Sequence, residues 1–125
     1  MTQSFFIPGI LPNLNDMLAA ARKSRGKWQA FADMKVSHEQ YIALCIKKAK
    51  LTPMQRVNVT FHWYEPSTRR DKDNIRAAGK FVLDSLVACK IIPTDGWLHV
   101  GELKDVFDVT DRKHCGVEIT LEEAV

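Results

Sequence analysis

The stretch Arg56-Val57-Asn58-Val59-Thr60-Phe61-His62-Trp63-Tyr64 alternates apolar and polar residues without a break. Val57, Val59, Phe61 and Trp63 fall on one side, and Asn58, Thr60, His62 and Tyr64 on the other. This is the two-residue period of a strand with one buried face. Glu65-Pro66-Ser67-Thr68 ends it. Downstream, the pattern predicts a helix from about Asp73 to Cys89, a turn at Pro93-Thr94-Asp95-Gly96, and strands near Leu98 to Val109 and Gly116 to Leu121. The polar Asp111-Arg112-Lys113 joins those two strands. Upstream, Lys27 to about Lys50 is helical, with Ile42, Cys45, Ile46 and Ala49 at offsets of three and four. Ser24-Arg25-Gly26 separates it from an earlier helix beginning near Asp16, which Asn13 to Asn15 can cap. Ser4 to Pro8 reads as a short strand ended by Pro8-Gly9. The order β-α-α-β-α-β-β predicts an α+β fold, one mixed sheet of about four strands with helices packed on it. A length of 125 residues predicts one domain spanning 1–125.

Composition narrows the class. Hydrophobic residues make up 46% and charged residues 26%, as in soluble globular chains. No run of about 18 apolar residues exists to span a membrane. Met1-Thr2-Gln3-Ser4 lacks the basic start and apolar core of a secretory signal, so a cytoplasmic location is expected. Cys45, Cys89 and Cys115 are odd in number and none forms a C-x-x-C pair, which argues against a disulfide framework or a zinc site. His38, His62, His99 and His114 are scattered and show no H-x-x-x-H spacing.

The net charge of +3 conceals an uneven distribution. Residues 22–90 hold 15 Lys/Arg against 6 Asp/Glu, whereas residues 91–125 hold 3 against 8. A basic block of this size suggests a polyanion such as nucleic acid as partner. The competing reading is a lysine-rich solvated surface.

Chemistry concentrates in Arg69-Arg70-Asp71-Lys72-Asp73-Asn74, between the best strand and the third helix. If the residues after the strand stay extended, alternation aims Asp71 and Asp73 the same way. Two carboxylates roughly 4 Å apart repel by about 4 kcal/mol at an effective dielectric near 20. A proton or a cation between them relieves this, and hard oxygen ligands favour Mg²⁺, Mn²⁺ or Ca²⁺. An EF-hand is excluded, because Ile75 and Arg76 stand where further ligand and glycine positions would be. The plainer alternative has Asp73 capping the helix and Asp71 pairing with Arg69 or Arg70. On the helix, Asp73, Arg76, Lys80 and Asp84 share an arc opposite Ile75, Ala78, Gly79, Val82, Leu86 and Cys89. Lys80 and Asp84 form an i,i+4 pair on a solvated face, or else Lys80 steadies a phosphate beside the carboxylates. Asp95 sits in a Pro/Gly turn that could return it to Asp71 and Asp73 as a third ligand.

The chain resembles the RusA-type Holliday junction resolvases, small metal-dependent endonucleases often encoded by phages and prophages. The resemblance rests on Arg70-Asp71-Lys72-Asp73-Asn74, Lys80-Phe81-Val82-Leu83-Asp84 and Ile91-Ile92-Pro93-Thr94-Asp95, with Pro12-Asn13-Leu14-Asn15 as the entry motif. It covers nearly the whole chain. It implies a RusA-like homodimer that nicks four-way DNA junctions using Mg²⁺, with Mn²⁺ as a substitute. It also implies Asp71, Asp73 and Asp95 as metal ligands and Lys80 as the supporting cation. Three positions depart from the pattern. Lys80 lies seven residues after Asp73, where about four is usual; Thr94 replaces an acidic residue; and Trp97 replaces a polar one.

The expected reaction is hydrolysis of a phosphodiester in branched DNA, with Arg69, Arg70, Lys72 and Arg76 contacting the DNA backbone. The alternatives are a junction- or DNA-binding module without catalysis, a nuclease for flaps or single strands, and a plain interaction domain. Phe5, Phe6, Phe61, Trp63 and Phe107 read as core rather than base-stacking groups, whereas Trp28 and Trp97 stand beside basic or turn residues.

Overall fold

A computed structural model describes residues 1–23 and 29–125. The chain is an α+β fold with a single mixed four-stranded sheet. Its elements are β1 (Thr2–Pro8), α1 (Leu14–Lys23), α2 (Gln29–Ala49), β2 (Val57–Glu65), α3 (Lys72–Arg76), α4 (Gly79–Ala88), β3 (Val100–Val109) and β4 (Gly116–Glu123), with a 3-10 turn at Arg112–His114. The strand order is β1-β4-β2-β3. β4 pairs antiparallel with β1 and β2, and β3 pairs parallel with β2.

The alternation of β2 sets the layers. Val57, Val59, Phe61 and Trp63 are buried beneath the helices, while Asn58, Thr60, His62 and Tyr64 are half-buried on the opposite face. Phe5 and Ile7 of β1 and Val117, Ile119 and Leu121 of β4 join the buried side. Ile42 and Ile46 of α2 and Phe81, Val82 and Leu86 of α4 pack against them in one continuous core. Among the described residues the other sheet face has no such cover: Glu118 and Glu122 are exposed on it. Phe6 lies there too, at 40% exposure, so it is not the core residue that strand composition suggested. Its ring lies over Gly116, where a Cβ would strike the Ile7 carbonyl oxygen and the Phe6 ring. That close approach, with a φ of +154°, requires glycine.

Two helix boundaries differ from expectation. α1 starts at Leu14, two residues early, because Asn13 and Asp16 form a reciprocal cap: the Asn13 amide donates to Asp16 Oδ2 and the Asp16 amide to Asn13 Oδ1, both at 2.9 Å. The third expected helix is two helices, broken by a turn at Ala77 and Ala78. The break lets Ala78 and Gly79 go under the surface, with Gly79 against the Phe61 ring. The expected interruption at Ser24-Arg25-Gly26, and Trp28, lie outside the described residues. Among the described residues no helix is long and apolar enough to cross a membrane.

Candidate active site

The loop that leaves β2 is fastened before it reaches the aspartates. Continuing the β2 alternation puts Glu65 on the buried side, and its carboxylate is 9% exposed. Arg70 meets it with two parallel bonds, Nε to Oε1 at 2.9 Å and Nη2 to Oε2 at 3.0 Å. Its remaining terminal nitrogen, Nη1, donates to the Leu11 carbonyl at 2.9 Å. This fork joins the loop to the segment entering α1. The Arg70 guanidinium is therefore committed to the protein, contrary to its expected place on the DNA backbone, because a buried carboxylate demands a planar bidentate partner.

Asp71 and Asp73 follow at once. Asp71 is the N-cap position of α3, with extended backbone, yet its side chain makes no capping bond. Asp73 lies in the first turn and its Oδ1 accepts from the Asn74 amide at 2.9 Å. The chain is already helical at Lys72, so strand alternation does not carry through the pair, and residues two apart on a helix do not face each other. Nor does Asp71 pair with Arg70. Lys72 stands 5.6 Å from the centroid of the Phe107 ring. A cleft of about 480 Å³ opens here, lined by Ser67, Thr68, Asp71, Lys72, Phe107 and Asp108 among others.

A second charged group forms on α4. Lys80 Nζ donates to Asp95 Oδ2 at 2.5 Å and lies 3.1 Å from Asp84 Oδ1. Asp84 Oδ2 also meets Lys35 of α2 at 3.4 Å. The bond from Lys80 holds the Asp95 carboxyl below its ordinary pKa, and the same bond, followed by that to Asp84, raises the Lys80 ammonium. Lys35 is raised as well, chiefly by its bond to Glu39. Beside this chain, Asp105 of β3 accepts from Trp63 Nε1 at 2.8 Å and pairs with Arg76 Nε at 3.1 Å. Arg76, Lys80 and Asp105 line a smaller cleft of about 200 Å³.

The turn carries Asp95 to Lys80, fifteen residues back, rather than to Asp71 and Asp73 as a third ligand, and the expected i,i+4 pair of Lys80 with Asp84 forms. Asp71, Asp73 and Asp95 do not assemble: among the described residues no group of three or more His, Cys, Asp or Glu side chains stands ready to hold a metal ion. Their oxygen donors suit Mg²⁺ or Mn²⁺ in kind, but the Asp95 carboxylate already holds an ammonium. Arg69 and Lys72 are exposed, and Arg76 and Lys80 keep more than half their side-chain surface open despite their partners. Trp97 is 97% exposed. Two contributors were missed from the sequence. Lys35 carries no signal beyond an ordinary surface lysine. Asp105 does, because β3 alternation puts it on the apolar side with Leu103, Phe107 and Val109.

No protein-family model matches the chain, and no curated protein matches it in sequence.

Proposed function

We propose that this chain is a Mg²⁺-dependent endodeoxyribonuclease of RusA type that resolves four-way DNA junctions by paired nicks, working as a two-fold homodimer. The observation that carries the reading is the Lys80–Asp95 contact, which joins two residues of the resemblance, one on α4 and the other in the turn that follows it. Asp71, Asp73 and Asp95 are the carboxylates that would hold the ion. When bound, such an ion supplies a nucleophilic water and charge for the leaving oxygen. Lys80 is kept cationic by Asp84 and Asp95, the state needed to offset charge on a phosphate. Arg69, Lys72 and Arg76 are the open cations for the DNA backbone, giving affinity that falls steeply with salt. A junction has two-fold symmetry, so paired incisions call for two sites related by a two-fold axis.

One observation favours a second reading, a DNA-binding module without cleavage: the Asp95 carboxylate is closed by Lys80, and no three-carboxylate group stands assembled among the described residues. A synthetic four-way junction separates the two. Nicking that requires Mg²⁺ and is abolished by Asp73→Asn, with junction binding retained, is the expected outcome. Binding indifferent to Mg²⁺, with no nicking at any protein concentration, would establish the binding module instead.

A further inference from the structure

β3 is an outer strand of the sheet, and its pairing with β2 shows which of its backbone groups are spent. The Glu102 amide donates to Asn58 Oδ1 and the Thr110 amide to the Glu65 carbonyl, both at 2.8 Å. Backbone groups alternate along a strand, so the even-numbered positions turn toward β2. Leu103, Asp105, Phe107 and Val109 therefore direct their amides and carbonyls away from the sheet. Among the described residues nothing hydrogen-bonds to them. A free edge of this length is a template for another strand. Two of the exposed apolar side chains sit on it, Leu103 at 48% and Val109 at 57%.

We propose that β3 pairs antiparallel with β3 of a second copy across a two-fold axis at Val106, joining two sheets into one of eight strands. In such a pairing, positions equidistant from the axis face each other, so the choice of axis fixes every contact. At Val106, Lys104 faces Asp108, Leu103 faces Val109 and Asp105 faces Phe107, each pair occurring twice. Asp108 also meets His62 Nε2 within its own chain at 2.6 Å through Oδ2, with its side chain still 58% exposed. The residues with unspent backbone groups then oppose one another, as an antiparallel ladder requires. Other axes fail on charge or geometry. Centring on Lys104 or Asp105 sets like charges against each other. Centring on Phe107 leaves Lys104 opposite Thr110 and Asp105 opposite Val109. Centring on Leu103 pairs Lys104 with Glu102 but runs into the irregular start of β3, where the register with β2 shifts between Val57 and Val59.

The two-fold axis of an antiparallel strand pair is perpendicular to the sheet. Both helix layers then lie on the same face, with the two clefts beside Phe107 next to the join. This supplies the pair of sites the proposed resolvase needs; its use there rests on that reading, but the interface is measured without any cleavage.

The test is the mass in solution by sedimentation of the wild type, Lys104→Asp, Asp108→Lys and the double variant. The wild type is expected near twice 14.2 kDa. Each single change sets like charges opposite and should weaken the dimer at least about tenfold, and the double change should restore it. Val106→Cys should cross-link under mild oxidation where the wild type does not, since facing positions of a non-hydrogen-bonded pair stand about 4.5 Å apart at Cα. Lys104 and Asp108 are exposed and Val106 is half-buried on the edge strand, and circular dichroism checks that each variant is folded. A monomer at every concentration overturns the proposal, and Lys104 is then a guard against edge pairing. A dimer unmoved by the charge swap and not linked by V106C overturns it equally, because another surface holds the copies. A dimer that passes these tests yet cuts no junction would sink the nuclease reading and leave the interface standing.

Discussion

Arg70 and Lys80 are both cations held by carboxylates, ten residues apart, and they are used in opposite ways. Arg70 and Glu65 have side chains only 20% and 9% exposed, joined by a two-pronged fork with a third bond to a backbone carbonyl. Lys80 is 63% exposed, and its partners Asp84 and Asp95 come from a helix and a turn. The first pair cannot be opened without leaving a charge in the core. The second can exchange one partner for another at little cost. Burial, rather than residue type, separates the charge that builds the loop from the charge available to a ligand.

The hardest test of this contrast is stability. Arg70→Ala strands the Glu65 carboxylate and should cost about 3–5 kcal/mol in urea unfolding. Lys80→Ala should cost no more than about 1 kcal/mol. Replacing both members of the buried pair by apolar residues of similar size should recover most of the loss, because no charge then remains unpaired. Equal costs for Arg70→Ala and Lys80→Ala would erase the distinction.

DNA binding probes the same difference from the other side. Arg69→Ala and Lys72→Ala should each lower the slope of log affinity against log salt by about 1 if each releases one counterion. Among stably folded variants, a swap of the Glu65–Arg70 pair for apolar residues should leave that slope unchanged. A slope that falls with Arg70 and not with Arg69 would place the DNA on the wrong side of the loop.

Much of this was legible from the sequence. Period-two patterning placed β2 most clearly, since Val57, Val59, Phe61 and Trp63 are buried and the residues between them are not. The other three strands were expected close to where they lie, although β3 has no face that is buried throughout. Glu65 was read only as part of the segment that ends the strand, although Val57, Val59, Phe61 and Trp63 extend by the same period to it, and a carboxylate on a core face calls for a fixed cation. Which of Arg69 and Arg70 answers was not, because neighbouring arginines look alike until the loop closes onto Leu11. The break at Ala77 and Ala78 was hidden because alanine favours helix, and only packing against Phe61 decides otherwise. Asp71 and Asp73 were read as a pair by assuming extended chain past β2. The helix begins at Lys72 and separates them.

Coupling between Lys80 and Asp95 gives a smaller effect. A double-mutant cycle of Lys80→Ala and Asp95→Asn should show an interaction of about 0.2–1 kcal/mol, shrinking as salt rises. The value matters for function, because a weak pair leaves both groups free to serve a phosphate or a cation, whereas strong coupling would lock them as Arg70 and Glu65 are locked.

The smallest expected effect is the pH dependence of that pair, and its sign follows from the two shifts. The Asp95 carboxyl is lowered from 3.8 when folded, so its contribution is full above that value and is lost as the pH falls through the depressed folded pKa. The Lys80 ammonium is raised from 10.5, so its contribution is full below that value and is lost as the pH rises through the folded pKa. Between the two limits the pair should add a flat increment. Wild type and Asp95→Asn should therefore differ in unfolding free energy by a constant amount across neutral pH and converge only in strong acid or strong base. Divergence near pH 6 would mean that a histidine, not Lys80, sets the charge around Asp95. The Lys80–Asp95 contact, the observation on which the proposed function rests, would then not be what holds that turn.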